Sequence, residues 1–259
     1  LETQSVTRHQ WVEFEGTLDD GYQAVLKCRV ASRIILILEQ SEVTTQEELY
    51  QRALQFPWEE HFTMASTFAI FASLHKSFLD HSGFTAQKFK DGIVDRFREE
   101  FDTRPQVDTE APDVSIRLWL RKTELTFGID LAGASLHQRG YRVDQVTAPL
   151  KENLAAAMLL NCGITQDTYD AIIDPMCGSG TFAIEAALWT AGVPVHAGRN
   201  DWTIFGAPGF DPDLWRSVGE AAREERISRA PILASDWNKH PAGDARESIR
   251  TAGVEHLVR

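Results

Sequence analysis

The sequence has 259 residues, of which 43% are hydrophobic and 25% are charged, and its formal net charge is −12. These proportions are those of an ordinary soluble globular protein, and they exclude a disordered tail, a collagen-like fibre and a coiled-coil rod. The densest apolar run, residues 34–38, is far shorter than the roughly 20 residues that span a bilayer, and no signal peptide is recognisable.

The first 75 residues mix short strands with one short helix. Residues 33–39 are predicted as a buried strand, and residues 46–54 as a helix whose cap is Thr44 or Thr45. Residues 67–72 alternate weakly and are predicted as a second strand.

A long helix and a hairpin follow. Apolar residues recur every four positions over residues 85–101, which predicts an amphipathic helix. Apolar and polar residues alternate over 114–121, and the apolar positions return over 125–129 after a turn near residues 122–124, which predicts a β-hairpin. A helix followed by a hairpin is an α+β unit.

From Pro149 onward, strands and helices alternate. Pro149 suits the first turn of a helix, a short apolar strand covers residues 171–173, and a helix covers 181–191. A further helix is predicted around residues 215–222, and another strand over 231–235. Such alternation predicts a parallel sheet.

The most informative stretch is the glycine loop, residues 174–181, which reads Asp-Pro-Met-Cys-Gly-Ser-Gly-Thr between a strand and a helix. Glycines at such a turn let a ligand approach the backbone closely, and the helix N-terminus behind them offers unpaired N–H groups and partial positive charge. We therefore expect a small ligand with an anionic group here. The alternative is a tight turn without a ligand, in which Asp174 only caps the helix.

Three cofactors compete for this loop. A nucleoside triphosphate is disfavoured because no Lys follows Gly180, as a P-loop requires. Gly178, Gly180 and Ala183 match the pattern of a dinucleotide site, but the carboxylate of Asp174 would repel a pyrophosphate. The same carboxylate suits an ammonium group, so S-adenosylmethionine, which carries an ammonium, a carboxylate and a sulfonium, is favoured over NAD.

Asp236 ends the next predicted strand, a position from which an acid commonly binds ribose hydroxyls. Its offset from Asp174 is much longer than the usual offset of about 20 residues, and an apparent insertion over residues 193–212 accounts for part of the difference. By itself, Asp236 fits a turn acid equally well.

Cysteine usage predicts a reducing compartment. The three cysteines, Cys28, Cys162 and Cys177, are odd in number and lack the C-x-x-C spacing of a zinc or redox site. We therefore expect a cytoplasmic protein with no metal centre. Cys177 is interpreted as a small loop filler, since no His or Lys neighbours it.

Several segments resemble one known family. They are residues 136–142 (Leu-His-Gln-Arg-Gly-Tyr-Arg), 148–155 (Ala-Pro-Leu-Lys-Glu-Asn-Leu-Ala) and the glycine loop, with residues 86–97, 104–108 and 111–114 upstream. Together they closely resemble the THUMP-domain methyltransferases of bacterial 23S ribosomal RNA, a guanine-N2 family also described as N6-adenine-specific DNA methylases. The similarity runs through nearly all of the chain.

The resemblance implies an α/β Rossmann-like S-adenosylmethionine methyltransferase domain, preceded by an α+β ferredoxin-like and THUMP part. The expected boundaries are a ferredoxin-like part with a truncated start over residues 1–55, a THUMP RNA-binding part over 56–134, and the first half of the methyltransferase domain over 135–259. The implied cofactor is S-adenosyl-L-methionine and the implied partner is ribosomal RNA.

The resemblance also assigns roles to residues. The glycine loop would bind the methionine part, Asp236 the ribose, and Pro149 and Lys151 would lie close to the cofactor. The expected cofactor-binding residues are Asp174, Pro175, Met176, Cys177, Gly178, Ser179, Gly180, Thr181, Asp236, Pro149 and Lys151.

Basic residues are expected to contact the RNA phosphates. For each of them, the alternative interpretation is that it belongs to a solvated surface of mixed charge. The candidates are Lys88, Lys90, Arg96, Arg117, Arg121, Lys122, Arg139 and Arg142. Residues 84–151 carry 11 basic and 11 acidic residues, whereas residues 1–83 carry 6 and 12 and residues 152–259 carry 9 and 15. Acidity therefore does not exclude RNA, and we expect recognition by a localised surface with a modest salt dependence.

Two departures from the family pattern limit what the chain is expected to do. It begins with Leu1 rather than Met, and it contains no Asn-Pro-Pro-aromatic segment, the family motif that accepts hydrogens from the target amine and stacks on the extruded base. We therefore expect the catalytic residues to lie beyond Arg259, and the chain to be an inactive fragment of an rRNA guanine-N2 methyltransferase.

Two other functions stay open. One is an RNA-binding module whose methyltransferase-like domain is not catalytic. The other is a DNA adenine-N6 methylase, against which the THUMP-like segments argue.

Overall fold

The computed structural model describes residues 5–8, 11–143, 149–164, 169–196, 199, 202–206, 209–222 and 230–259. The chain divides into two compact units. Unit 1 comprises Leu1–Ser32, Ser135–Asn200 and Pro212–Arg259, and unit 2 comprises Arg33–Ala134 and Asp201–Asp211.

Unit 1 begins with an antiparallel hairpin and a helix: β1 (Ser5–Arg8), β2 (Trp11–Phe14) and α1 (Leu18–Lys27). A capping box starts α1, in which the hydroxyl of Thr17 accepts from the backbone N–H of Asp20 and the carboxylate of Asp20 accepts from the backbone N–H of Thr17. This reciprocal pair satisfies amide groups that a helix start leaves without partners.

Unit 2 is built on a five-stranded mixed sheet. The strands are β3 (Ile35–Glu42), β4 (Thr67–His75), β5 (Gln106–Val107), β6 (Val114–Arg121) and β7 (Glu124–Asp130). In the order β3-β7-β6-β4-β5, β7 pairs antiparallel with β3 and β6, and β4 pairs parallel with β6 and β5.

Two helices, α2 (Gln46–Gln55) and α3 (Ser82–Phe101), accompany this sheet. They approach closely at Gly92, where a Cβ atom would lie 2.6 Å from the carbonyl oxygen of Tyr50. Of the two residues predicted as the cap of α2, Thr45 is the one observed, and its hydroxyl accepts from the backbone N–H of Glu48. The predicted helix over residues 85–101 is confirmed as α3, which begins three residues earlier.

The core of unit 2 is aromatic. Trp58, in a 3-10 turn (Trp58–Glu60), is fully buried and donates its indole N–H to the carbonyl of Ala53 at 2.7 Å. Its ring contacts those of Phe89 and Phe127, with centroids 5.9 and 5.3 Å away. The apolar residues Val114, Ile116, Leu118 and Leu120 of β6 are buried, and β6 pairs antiparallel with β7, so the predicted hairpin is confirmed.

The remainder of unit 1 alternates helices and strands, as predicted. The elements are α4 (Glu152–Asn161), β8 (Ile172–Asp174), α5 (Thr181–Thr190), α6 (Pro212–Ala221), β9 (Ile232–Ala234) and α7 (Lys239–Thr251). The strands β8 and β9 pair in parallel. Helix α5 is buried along most of its length, as expected for a helix that is apolar on all sides.

Two observations differ from the expectations. The predicted boundary at residues 55/56 does not divide the observed units: β3 pairs along β7, so residues 35–42 belong to the sheet of unit 2, and the part of the chain before residue 33 belongs to unit 1. Pro149 precedes α4 instead of lying in its first turn, because the helix begins after the cap residue Lys151.

Among the described residues, no helix is both long and apolar enough to cross a membrane.

Candidate ligand-binding site at the glycine loop

The glycine loop lies where the carboxyl ends of β8 and β9 meet. The backbone N–H of Cys177 donates to the carbonyl of Ser235, and the N–H of Ser235 donates to the carbonyl of Asp174, each at 2.9 Å. The segments that leave the two strands are thereby fixed to each other. Ligands of open α/β sheets bind in the crevice outside such strand ends.

The two glycines adopt left-handed backbone conformations for different reasons. Gly180 has φ +82° and packs against α7, where an added Cβ would lie 3.3 Å from the Cβ of Ala245. Gly178 has φ +54°, and an added Cβ would meet no atom within 4 Å. Because left-handed conformations are strained for other residues, both positions favour glycine, but only Gly178 faces open space that a ligand could fill.

Two carboxylates shape the loop. Asp236 accepts from the backbone N–H of Gly178 at 3.0 Å and from that of Asn238 at 2.8 Å, and Asp174 accepts from the backbone N–H of Met176 at 3.2 Å. Burial raises the pKa of Asp174, and the nearby charge of Asp236 raises it further. A site with two acids favours a ligand with a cationic group, which would relieve this unfavourable charge.

Cys177 is buried, and burial together with the two acids raises the pKa of its thiol. A protonated thiol is a poor nucleophile, which supports its interpretation as a filler of the loop.

An exposed aromatic side chain that the sequence analysis missed lies beside the loop. Trp237 directly follows Asp236 and is 92% exposed, and Met176 within the loop is 80% exposed. Large apolar side chains at this level of exposure offer a surface on which a planar ring can stack. The signal was present in the sequence as an aromatic residue next to a strand-ending acid.

The side chain of Arg142 is hydrogen-bonded to the loop. Its guanidinium donates to the hydroxyls of Ser179 and Thr181 at 3.0 and 3.1 Å, to the carbonyl of Leu150 at 2.9 Å, and to the carboxylate of Glu152 at 3.2 Å. These bonds connect Leu150 and Glu152, the chain neighbours of Pro149 and Lys151, to the loop; that Pro149 and Lys151 lie close to a cofactor stays a prediction. Both of those side chains are exposed.

The basic residues expected to contact RNA are mostly engaged within the protein. All but Lys122 form ion pairs: Lys88 with Glu47, Lys90 with Asp91, Arg96 with Glu59, Arg117 with Asp130, Arg121 with Glu124, Arg139 with Glu185, and Arg142 with Glu152.

Arg139 differs most from the expectation. Its side chain is completely buried and pairs with the equally buried carboxylate of Glu185 at 3.4 Å, so it has no surface with which to touch RNA. Arg142 is 15% exposed at the side chain, and its partners place it at the glycine loop.

Among the described residues, no group of three or more His, Cys, Asp or Glu side chains is arranged to hold a metal ion.

Two family models match the chain in succession. The THUMP domain model matches residues 43–130, and the model described as "RMKL-like, methyltransferase domain" matches residues 139–259.

Relatives named ribosomal RNA large subunit methyltransferase K/L match almost the whole chain. The protein from Syntrophotalea carbinolica is 40% identical over 252 residues, which are 95% of this chain and 35% of that protein. The one from Pseudomonas aeruginosa is 38% identical over 255 residues, 96% of this chain and again 35% of that protein. The chain thus spans about a third of the length of these relatives.

Two solved structures share the fold over 99% of the chain. A "predicted N6-adenine-specific DNA methylase" from Listeria monocytogenes has a TM-score of 0.85 at 26% identity, with 67% of its own chain covered. SMU.472, solved in complex with SAH, has a TM-score of 0.86 at 27% identity, with 68% of its own chain covered. Taken with the family models, the resemblance found in the sequence is confirmed: the chain carries a THUMP domain followed by an RMKL-like methyltransferase domain of the α/β class.

Proposed function

We propose that the glycine loop binds S-adenosylmethionine and that the chain is part of an S-adenosylmethionine-dependent ribosomal RNA methyltransferase. The observation that carries the proposal is the loop itself, which runs from Asp174 to the start of α5 and in which an added Cβ at Gly178 would meet no atom within 4 Å. When bound, the cofactor supplies a methyl group on a sulfonium. The relative solved with SAH supports this assignment.

The residues present fit the chemical groups of this cofactor. The first backbone N–H groups of α5 lack partners within the helix and suit the ligand carboxylate. Asp174 suits the ligand ammonium, because an ion pair there offsets the burial that raises the pKa of its carboxyl. Trp237 offers its exposed ring to the adenine.

Asp236 is proposed to hold the ribose, as the resemblance implies. Both of its oxygens already accept backbone N–H groups, but a carboxylate has about four lone-pair sites, so two hydroxyls can still donate to it. The existing bonds fix its orientation before the ligand arrives.

The RNA-contacting surface is proposed to include Lys76 and Lys122. Among the described residues of unit 2, these two and Arg104 are the Lys and Arg side chains that form no ion pair. Lys76 and Lys122 are exposed and adjacent, because the backbone N–H of Lys122 donates to the carbonyl of His75 at 3.1 Å. Cations without a competing carboxylate are the ones free to contact phosphates.

The proposed substrate class, large-subunit ribosomal RNA, is supported by the names of the relatives and by the THUMP domain match. The finer assignment, a guanine N2 of 23S ribosomal RNA, is what the resemblance of the sequence implies. Adenine-N6 methylation of DNA is the second candidate, because one structural neighbour carries that name. Transfer of labelled methyl groups by the full-length protein to deproteinised ribosomal RNA and to duplex DNA separates the two. Methylation of DNA alone would contradict the RNA assignment.

Cofactor binding is tested on the chain itself by calorimetry with S-adenosylhomocysteine, which keeps the ammonium and the carboxylate. We expect saturable binding that Asp174→Ala weakens at least tenfold. Asp213→Ala is a suitable control, because Asp213 is an exposed acid in α6. Equal binding by the Asp174→Ala variant and the unaltered chain would show that the cofactor assignment is wrong.

A further inference from the structure

Arg142 joins three separate parts of unit 1 through one guanidinium group. Its Nη1 donates to Ser179 and its Nη2 to Thr181, the two residues on either side of Gly180. Nη2 also donates to the carbonyl of Leu150, ahead of α4, and Nε donates to the carboxylate of Glu152, the first residue of α4. Ser179, Thr181 and Glu152 are all buried. From this geometry we infer that Arg142 is a positioning residue, which holds the glycine loop in the shape that binds the amino-acid part of the cofactor.

The position of Arg142 is itself fixed by its neighbours in the chain. The hydroxyl of Tyr141 donates to the carboxylate of Glu185 at 3.1 Å, and the guanidinium of Arg139 pairs with the same carboxylate. Glu185 lies in the buried helix α5, which starts at the loop. The segment that carries Arg142 is thus anchored to the helix whose N-terminus would face the ligand.

The two hydroxyl contacts restrict the loop on both sides of Gly180. Gly180 has φ +82°, and glycine has no side chain with which to make fixing contacts of its own. Bonds to the side chains before and after it limit the rotations available to its backbone. A loop that is ordered before binding loses less conformational entropy when the ligand arrives.

The contacts of Arg142 suit a residue that positions the loop rather than one that touches the ligand. Four of the five N–H donors of its guanidinium are engaged within the protein. The carboxylate of Glu152, 3.1 Å away, offsets its charge. Arg142 therefore acts through Ser179 and Thr181, and the inference rests on the proposed binding of S-adenosylmethionine by the loop.

The substitution Arg142→Lys tests this role without leaving Glu152 as an unpaired buried charge. Lysine keeps the positive charge, but its single ammonium cannot reproduce the planar fork of donors that spans the partners. The control is Arg250→Lys on α7, since Arg250 is 66% exposed at the side chain and pairs with the exposed acids Glu247 and Glu255.

Two ligands distinguish positioning of the loop from general loss of structure. S-adenosylhomocysteine carries the amino-acid part, whereas 5′-methylthioadenosine keeps the adenosine and the thioether but lacks that part. For Arg142→Lys we expect at least a tenfold increase in the Kd of S-adenosylhomocysteine and less than a twofold change in that of 5′-methylthioadenosine, both measured by NMR titration. Arg250→Lys should change neither.

Thr181→Val provides a second, milder variant that removes one acceptor and retains the other contacts of Arg142. It should weaken S-adenosylhomocysteine binding selectively, and its effect should be less than additive with that of Arg142→Lys, because both remove the same bond.

Equal weakening of both ligands by Arg142→Lys, or no weakening of either, would overturn the inference while leaving the proposed function intact. Failure of the unaltered chain to bind S-adenosylhomocysteine would overturn the proposed function, and the inference with it.

Discussion

The open space beside Gly178 leads to a prediction that separates ligand binding from stability. In Gly178→Ala, the new Cβ would project into a volume with no protein atom within 4 Å, which is where we place the cofactor. The substitution should therefore strongly weaken binding of S-adenosylhomocysteine, although it creates no clash within the protein.

The cost in stability follows from the backbone conformation. Gly178 has φ +54°, and a left-handed conformation costs a residue with a Cβ about 1–2 kcal/mol. For a chain of this size, each kcal/mol lowers Tm by about 2–4 °C. Gly253, after α7, has φ +70° and likewise no atom within 4 Å of an added Cβ, so Gly253→Ala should lose a similar amount of stability.

Thermal unfolding and calorimetric titration of the two variants provide the comparison. We expect similar decreases in Tm for both, with the Kd of S-adenosylhomocysteine raised at least tenfold only in Gly178→Ala. The reasoning would be refuted if Gly178→Ala bound the ligand as tightly as Gly253→Ala, because the open space would then not be the binding site.

Three further predictions address other parts of the chain. Addition of S-adenosylhomocysteine should change the tryptophan fluorescence, and Trp237→Phe should abolish most of this change; full retention would show that the exposed indole does not face the ligand. His196 is buried, and burial lowers its pKa from 6.5 to about 3, so it stays neutral in the folded state while the unfolded state takes up a proton below pH 6.5. Its contribution to the free energy of unfolding should fall by about 1.4 kcal/mol per pH unit as the pH drops below 6.5. In urea unfolding, the loss of unfolding free energy between pH 7 and pH 5 should therefore be smaller for His196→Gln than for the unaltered chain. An equal loss in both would contradict this. In filter binding of a ribosomal RNA fragment, Lys76→Ala and Lys122→Ala should each reduce the slope of log K against log salt by about 1, whereas Lys88→Ala, which removes a side chain held by Glu47, should not; the opposite pattern would place the RNA elsewhere.

The periodic elements of the chain were predictable because they depend on local spacing. The apolar stripe of α3 and the alternation in β6 and β7 appear in the sequence with the periods of a helix and of strands. The glycine loop was recognisable for a similar reason, since its strand, acid, glycines and helix follow one another within a few residues. Its neighbour Trp237 escaped notice: an aromatic residue next to a strand-ending acid is visible in the sequence, but its 92% exposure is not.

The roles of the basic residues could not be predicted, because an ion pair depends on which distant segments meet. Arg142 is separated from Thr181 by a helix and a strand along the chain, and Arg139 from Glu185 by the same elements. Folding brings each pair into contact and converts two expected RNA contacts into internal supports of unit 1. From the sequence, Lys88 and Lys122 were equal candidates for RNA contact. In the structure, Lys88 pairs with the carboxylate of Glu47, whereas Lys122 forms no ion pair among the described residues.

The sequence by itself determined the α+β part and the α/β part, and it predicted the ligand class of the glycine loop, since each follows from short-range patterns of residue type. The tertiary structure decided that β3 completes the sheet of unit 2, that Arg142 donates hydrogen bonds to the loop, and that Lys76 and Lys122 form no ion pair with any residue that the structure describes. The physical reason is that pairing of strands and neutralisation of charges are contacts between residues far apart in the chain, and no local period encodes them.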